Sequence, residues 1–211
     1  MAKHLTKKQR EELSSRHART RSKRNEGTRE LFYIFLIVSE GTKTEPEYFR
    51  HFTSRRSRVQ VVGADRSTKK LLEEALRIRD LSTFDYKWLI FDKDDNDDFN
   101  EAILYAEKAG FQCAWSNESF ELWFCLHFID LRTSVSRRQY IDILEREIRR
   151  YVPEFIYTKG GDVMYDILRK YGSQEKAVSR AQNLRLNYSG NDYASQNPCT
   201  TVDILVEKLK R

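Results

Sequence analysis

Residues 31–38 read Leu-Phe-Tyr-Ile-Phe-Leu-Ile-Val, eight apolar, β-branched or aromatic residues without a break. A half-exposed strand alternates apolar with polar positions, so a run with no polar side is the pattern of a strand covered on both faces. That restricts the chain to a sheet held between layers of helices. VQVVGA (59–64) and YKWLIF (86–91) read as two further strands, and FQCAW (111–115) as a short fourth. Helical patterns separate them. PEYFRHF (46–52) has Pro46 in its first turn and Thr44 as candidate cap. KKLLEEALRIRDL follows Ser67 or Thr68 as cap and carries Leu72, Ala75, Leu76 and Arg79 along one face, and FNEAILYAEKA (99–109) stops at Gly110. The order βαβαβαβ, with crossovers of helical length, predicts an α/β fold with a four-stranded, mainly parallel sheet flanked by helices.

From about residue 117 the pattern becomes helical only. FELWFCLHFI (120–129) is apolar almost all round, as a buried helix is. SRRQYIDILEREIRRYV, VMYDILRKYG and QEKAVSRAQNLRL carry apolar stripes with charges opposite, and Thr200 or Thr201 caps a last helix, VDILVEKLK. The expectation is one α/β domain over residues 31–211, its C-terminal part helical from about residue 130, preceded by a tail over residues 1–30.

Charge singles out that tail. Of the 38 basic and 32 acidic residues, ten basic and four acidic ones lie in residues 1–30, so the whole net charge of +6 is there and the remainder balances. The tail has almost no large apolar side chains, only Met1, Leu5 and Leu13, too few to offset its ordering entropy. A mobile arm, or a helix formed on contact, is expected. Beside a neutral body such an arm suits a phosphate backbone, with Arg19, Arg21, Lys23 and Arg24 as candidate contacts; the alternative is a solubilising tail. Three widely spaced cysteines, Cys113, Cys125 and Cys199, suggest neither a disulfide framework nor a zinc site. No apolar stretch approaches the ~20 residues of a membrane span, so a cytoplasmic protein with no membrane partner is expected.

In a parallel sheet the strand C-termini line one edge, and ligands bind in the crevice outside it. The first strand runs into Ser39-Glu40-Gly41, the third into Asp92-Lys93-Asp94-Asp95, and the fourth into Ser116-Asn117-Glu118. Carboxylates gathered there repel unless a cation lies between them, and an all-oxygen cluster suits Mg²⁺ or Mn²⁺ with a substrate phosphate. The metal-binding candidates are Glu40, Asp92, Asp94 and Asp95; Lys43, Lys93, Ser116 and Asn117 are candidates for holding substrate. Each piece also has a plainer reading: a solvated turn at Glu40, and an acidic loop whose Asp97 or Asp98 caps the next helix. His127, on an apolar helix, reads as a core histidine, and Asn197-Pro198-Cys199-Thr200 as a loop that folds over the acidic edge.

Taken in order, Ser39-Glu40-Gly41, Asp92-x-Asp94, Ser116-Asn117-x-x-Phe120-Glu121-Leu122-Trp123, Leu126-His127-Phe128 and Asn197-Pro198-x-Thr200-x-Val202 resemble the RloB-like family over roughly residues 33–208. The resemblance implies a Toprim-like fold and a place in abortive-infection or restriction-associated defence, with an ATPase partner. It implies that Glu40 acts as general acid or base, that Asp92 and Asp94 bind Mg²⁺ with Asp95 extending the pair, and that Glu121 is a further catalytic or metal-orienting carboxylate. Asn117 would donate to substrate or to the Asp92–Asp95 loop. Glu118 departs from the family, which commonly has Pro there. None of the 11 tyrosines stands out as a nucleophile, which favours hydrolysis by activated water. The expected function is a metal-dependent nuclease acting on DNA or RNA; the alternatives are a non-catalytic Toprim-like module that binds nucleic acid or the ATPase, and nucleotidyl transfer.

Overall fold

The unbroken apolar run forms a central strand, β1 (Tyr33–Ser39), in a computed structural model that describes residues 32–65, 68–94, 96–160 and 163–210. The tail, with Arg19, Arg21, Lys23 and Arg24, lies outside the described residues, as do Ser67 and Asp95. After β1 come α1 (Thr44–Arg50), β2 (Ser57–Gly63), α2 (Thr68–Leu76), β3 (Tyr86–Asp92), α3 (Phe99–Lys108) and β4 (Gln112–Asn117). The helical part contributes α4 (Glu121–Leu126), α5 (Arg137–Arg149), α6 (Val163–Tyr171), α7 (Gln174–Arg185), a short β5 (Cys199–Thr200) and α8 (Val202–Leu209). The sheet order is β2-β1-β3-β4-β5; β1 pairs in parallel with β2 and β3, β3 with β4, and β5 runs antiparallel to β4. A mostly parallel sheet flanked by helices is the arrangement expected of a Toprim-like fold.

Both faces of the central strands are buried, and their side chains sort by parity. Phe35 and Ile37 of β1, with Trp88 and Ile90 of β3, pack toward α1, α4, α5 and α8 through Phe49, Trp123, Leu144 and Leu205. Leu36 and Val38, with Leu89 and Phe91, face α2 and α3 through Leu71, Ala75, Phe99 and Ile103. Each large side chain so buried contributes roughly 1.5–3 kcal/mol, which is why the buried stretches Phe35–Val38 and Trp88–Phe91 carry no polar position.

Four local expectations need correction. The sheet has five strands, because Cys199 and Thr200 add to the open edge of β4 where a covering loop was expected. Two residues are too short to show a period; the edge's unpaired N–H and C=O groups recruit them. Thr44 does not cap α1: it is the helix's first residue, Lys43 holds the cap position, and Glu47 N–H donates to Lys43 O at 3.0 Å. In α2 the buried positions are Leu71 and Ala75, whereas Leu76 is exposed and Arg79 lies beyond the helix. Finally α4 is shorter than the apolar run, since its terminal carbonyls are taken from outside: Arg180 donates to Leu126 O at 2.6 Å and Ser173 N–H to His127 O at 3.0 Å.

Candidate active site

The registers bring three strand ends level. Ser39 pairs with Ile90 and Asp92 with Ser116, and Glu40 N–H extends the ladder to Ile90 O at 2.9 Å. Beyond this edge opens a cleft of about 280 Å³. Glu40, Asp92, Asp94 and Glu121 all line it, as does Lys43.

Each acid is placed by its own local device. After Glu40, the Ser39 hydroxyl donates to Gly41 O at 2.7 Å and turns the chain away from the sheet. Asp94 sits at φ 35°, a left-handed backbone that Asp tolerates better than most residues. Two backbone bonds pin its loop: Lys93 N–H to Ser116 O at 2.9 Å and Asp94 N–H to Glu118 O at 3.1 Å. Glu121 opens α4, almost wholly buried, and its Oε1 accepts from the Tyr157 hydroxyl at 2.9 Å.

The cleft also holds groups that the sequence pattern did not mark: Glu45, Asp65, Arg137 and Lys159. Glu45, on the first turn of α1, is 6% exposed, and it fits only because Gly41 has no side chain: a Cβ there would collide with the Glu45 carboxylate. The available signal was its place in the first helical turn after the strand that delivers Glu40. Arg137 starts α5 and reaches into the acids, its Nη1 donating to Asp94 Oδ2 at 2.7 Å, with Nη2 3.6 Å from Asp92 Oδ2 and Nε 4.0 Å from Glu121 Oε2. Nothing local in an amphipathic helix distinguishes this arginine from its neighbours.

Three expected substrate contacts lie elsewhere. The Ser116 hydroxyl is buried against Thr200 Oγ1 at 2.9 Å, and Asn117 Nδ2 donates to Ala194 O at 2.9 Å; both fasten the C-terminal segment to β4. The link from this turn to the Asp92–Asp94 loop is made by backbone carbonyls instead. Lys93 donates to Asp94 O at 3.1 Å, outside the cleft lining. His127 is buried, with Nδ1 2.9 Å from Trp123 O and its ring edge-on to Trp123; it belongs to the core side of α4.

Crowding raises the proton affinity of the acids. Burial, then the charges of Glu45 and Asp94, push Glu40 up to about 7, although the Asp92 backbone N–H and Arg137 pull the other way. Burial followed by Glu45 and Glu121 holds Asp92 well above the usual carboxylate range, and burial does most to raise Glu45. For Arg137, burial opposes the charge but the surrounding acids outweigh it and raise its pKa further. Three basic residues, Lys43, Arg137 and Lys159, face six carboxylates in the lining of the cleft. Among the described residues no three His, Cys, Asp or Glu are already set to hold a metal ion. The donors nevertheless fit a hard cation: Glu40 Oε2, Asp92 Oδ1 and Glu121 Oε2 are buried oxygens without a hydrogen-bond partner.

The model of the RloB-like protein family matches residues 35–209, from the third residue of β1 to the end of α8. The chain belongs to the RloB-like family. No curated protein and no solved structure matches it. The matched span of this RloB-like chain takes in Glu40, Glu45, Asp92, Asp94, Glu121, Arg137 and Lys159, so the cleft is built wholly within the family's domain.

Proposed function

We propose that the cleft is the active site of a metal-dependent phosphodiesterase, a nuclease of Toprim type acting on DNA or RNA in prokaryotic defence. The observation that carries this reading is the meeting of carboxylates from the ends of β1 and β3 and the start of α4, with orphaned oxygens on Glu40, Asp92 and Glu121, in one cleft that also holds Lys43, Lys159 and Arg137. Acids alone would repel a phosphodiester; acids with basic residues around them suit a divalent cation and a phosphate together. Asp92 and Asp94 would hold Mg²⁺ or Mn²⁺, with Glu40 beside them. When bound, the ion supplies Lewis acidity and neutralises charge on the scissile phosphate.

The remaining roles fall to the chain's own side chains. Glu40, with its pKa near neutrality, is suited to take a proton from the attacking water or return one to the leaving oxygen. Tyr157 holds Glu121 in one orientation through its hydroxyl. Lys43 and Lys159 also line the cleft and would contact the substrate phosphate. The place in defence and the ATPase partner rest on the family resemblance.

The test is cleavage of single- and double-stranded DNA, RNA and tRNA with Mg²⁺ or Mn²⁺, comparing wild type with Glu40→Gln and Asp92→Asn. Metal-dependent cutting should fall by about 10²-fold or more in both variants; cutting that survives both changes, or survives chelation, refutes the assignment. One observation favours a second reading, a binding module that does no chemistry: Arg137 already forms an ion pair with Asp94. On that reading neither the variants nor added metal alters the protein's behaviour.

A further inference from the structure

Two arginine–carboxylate contacts in this molecule differ in a telling way. Arg185 meets Asp203 in a two-pronged fork, at 2.5 and 2.7 Å, and also donates to Thr200 O at 2.8 Å; Asp203 is fully buried. That is the geometry of a permanent structural pair. Arg137 has three carboxylates within 4.0 Å of its guanidinium but, among the described residues, only one side-chain hydrogen bond, the 2.7 Å contact with Asp94, since 3.6 Å to Asp92 and 4.0 Å to Glu121 are too long. Its buried Nε has no acceptor, while Asp92 Oδ1 and Glu121 Oε2 have no donor. Nε and Glu121 Oε2 thus lie 4.0 Å apart, each unsatisfied.

The backbone beneath this loose contact is firmly held. Arg137 N–H donates to Glu118 Oε2 at 2.9 Å, and Ser136 and Gln139 form a capping box around the start of α5. The Cα is therefore anchored, while the side chain, 31% exposed, lines the cleft. A guanidinium is also the group whose planar fork matches phosphate oxygens.

We propose that Arg137 is the cleft's resident counter-ion: it neutralises Asp92, Asp94 and Glu121 while no divalent cation is bound, yields them when one arrives, and then turns its fork to the substrate phosphate. This inference rests on the proposed metal site. It assigns Arg137 a competitive relation to the metal, which neither a ligand nor a structural bridge would have.

The test is Mn²⁺ binding by the full chain, followed by calorimetry and by the paramagnetic signal of the free ion, for wild type, Arg137→Gln and Asp92→Asn. Removing the competing charge should tighten Mn²⁺ binding in Arg137→Gln by about tenfold. The metal-free melting temperature of that variant should fall, and Mn²⁺ should restore it far better than sodium chloride of equal ionic strength. In wild type, with arginine labelled with ¹⁵N, diamagnetic Mg²⁺ should shift the Arg137 Nε–H resonance, assigned by its absence from Arg137→Lys; this measurement does not depend on the folding of Arg137→Gln. Unchanged or weaker Mn²⁺ affinity in Arg137→Gln, or an Nε–H signal indifferent to bound Mg²⁺, overturns the proposal and leaves the metal site standing. If wild type binds no Mn²⁺, or Asp92→Asn binds it as well as wild type does, the metal site itself fails and the proposal falls with it.

Discussion

Gly41 makes room for one more carboxylate in the cleft, because a Cβ there would collide with the Glu45 side chain. On the proposed function, Gly41→Ala should weaken Mn²⁺ binding and nuclease activity while changing overall stability by only about 1 kcal/mol, which metal titration and urea unfolding of one preparation will separate. Half-buried Glu40 and buried His127 give the metal-free protein opposed pH dependences. Glu40 rises from 4.5 to about 7 on folding, so the folded state binds more protons, and this contribution to stability is lost as pH rises from about 4.5 to about 7. His127 falls from 6.5 to about 4, because burial disfavours its charge, so its contribution is lost as pH falls from about 6.5 to about 4. At the acid end the histidine should cost about 3 kcal/mol. Thermal melts from pH 4 to pH 8 should show Glu40→Gln gaining on wild type as pH rises through neutrality; parallel curves would mean that Glu40 titrates normally.

At the scale of elements, the helical C-terminal part is fastened to the sheet by polar joints as well as apolar packing. Thr201 accepts Trp115 N–H in its hydroxyl at 2.9 Å and donates its own N–H to Trp115 O at 2.9 Å, which leaves Thr200 Oγ1 to accept Val202 N–H at the start of α8. Arg185 and Asp203 join α7 to α8. Asp203→Ala, which strands a partly buried guanidinium, should destabilise the fold by about 3–5 kcal/mol in denaturant unfolding, and replacing both partners by apolar residues should recover much of that. Glu118 anchors the first backbone N–H of α5 and thereby fixes the base of Arg137.

For the whole molecule, the basic charge and the catalytic candidates fall in separate stretches of chain, with the net charge of +6 confined to residues 1–30. On the proposed function, deleting residues 1–30 should weaken nucleic-acid binding and flatten its dependence on salt by roughly 0.9 in slope for each duplex phosphate released. Melting of the Phe32–Arg211 unit should be unaffected. Affinity measured at three or more salt concentrations decides it: an unchanged slope means that the tail does not touch the backbone.

The unbroken apolar strands were legible in the sequence because burial on both faces is written locally, residue after residue, and so were the positions at which those strands stop. Glu40, Asp92 and Asp94 could be placed at one edge for that reason alone: parallel strands joined by crossovers must end on the same side. Ser116 and Asn117 follow the same rule, yet tertiary packing turns them to other partners, because β5 arrives from 84 residues away to claim the Ser116 hydroxyl. Arg137 lies 43 residues from Asp94, on a helix whose own pattern reports only which side faces the core. A periodicity records how much of each side chain is buried but not which distant group buries it. The carboxylates' positions were thus settled by the chain's local pattern, and the cation that stands among them by the way α5 packs back across the strand ends.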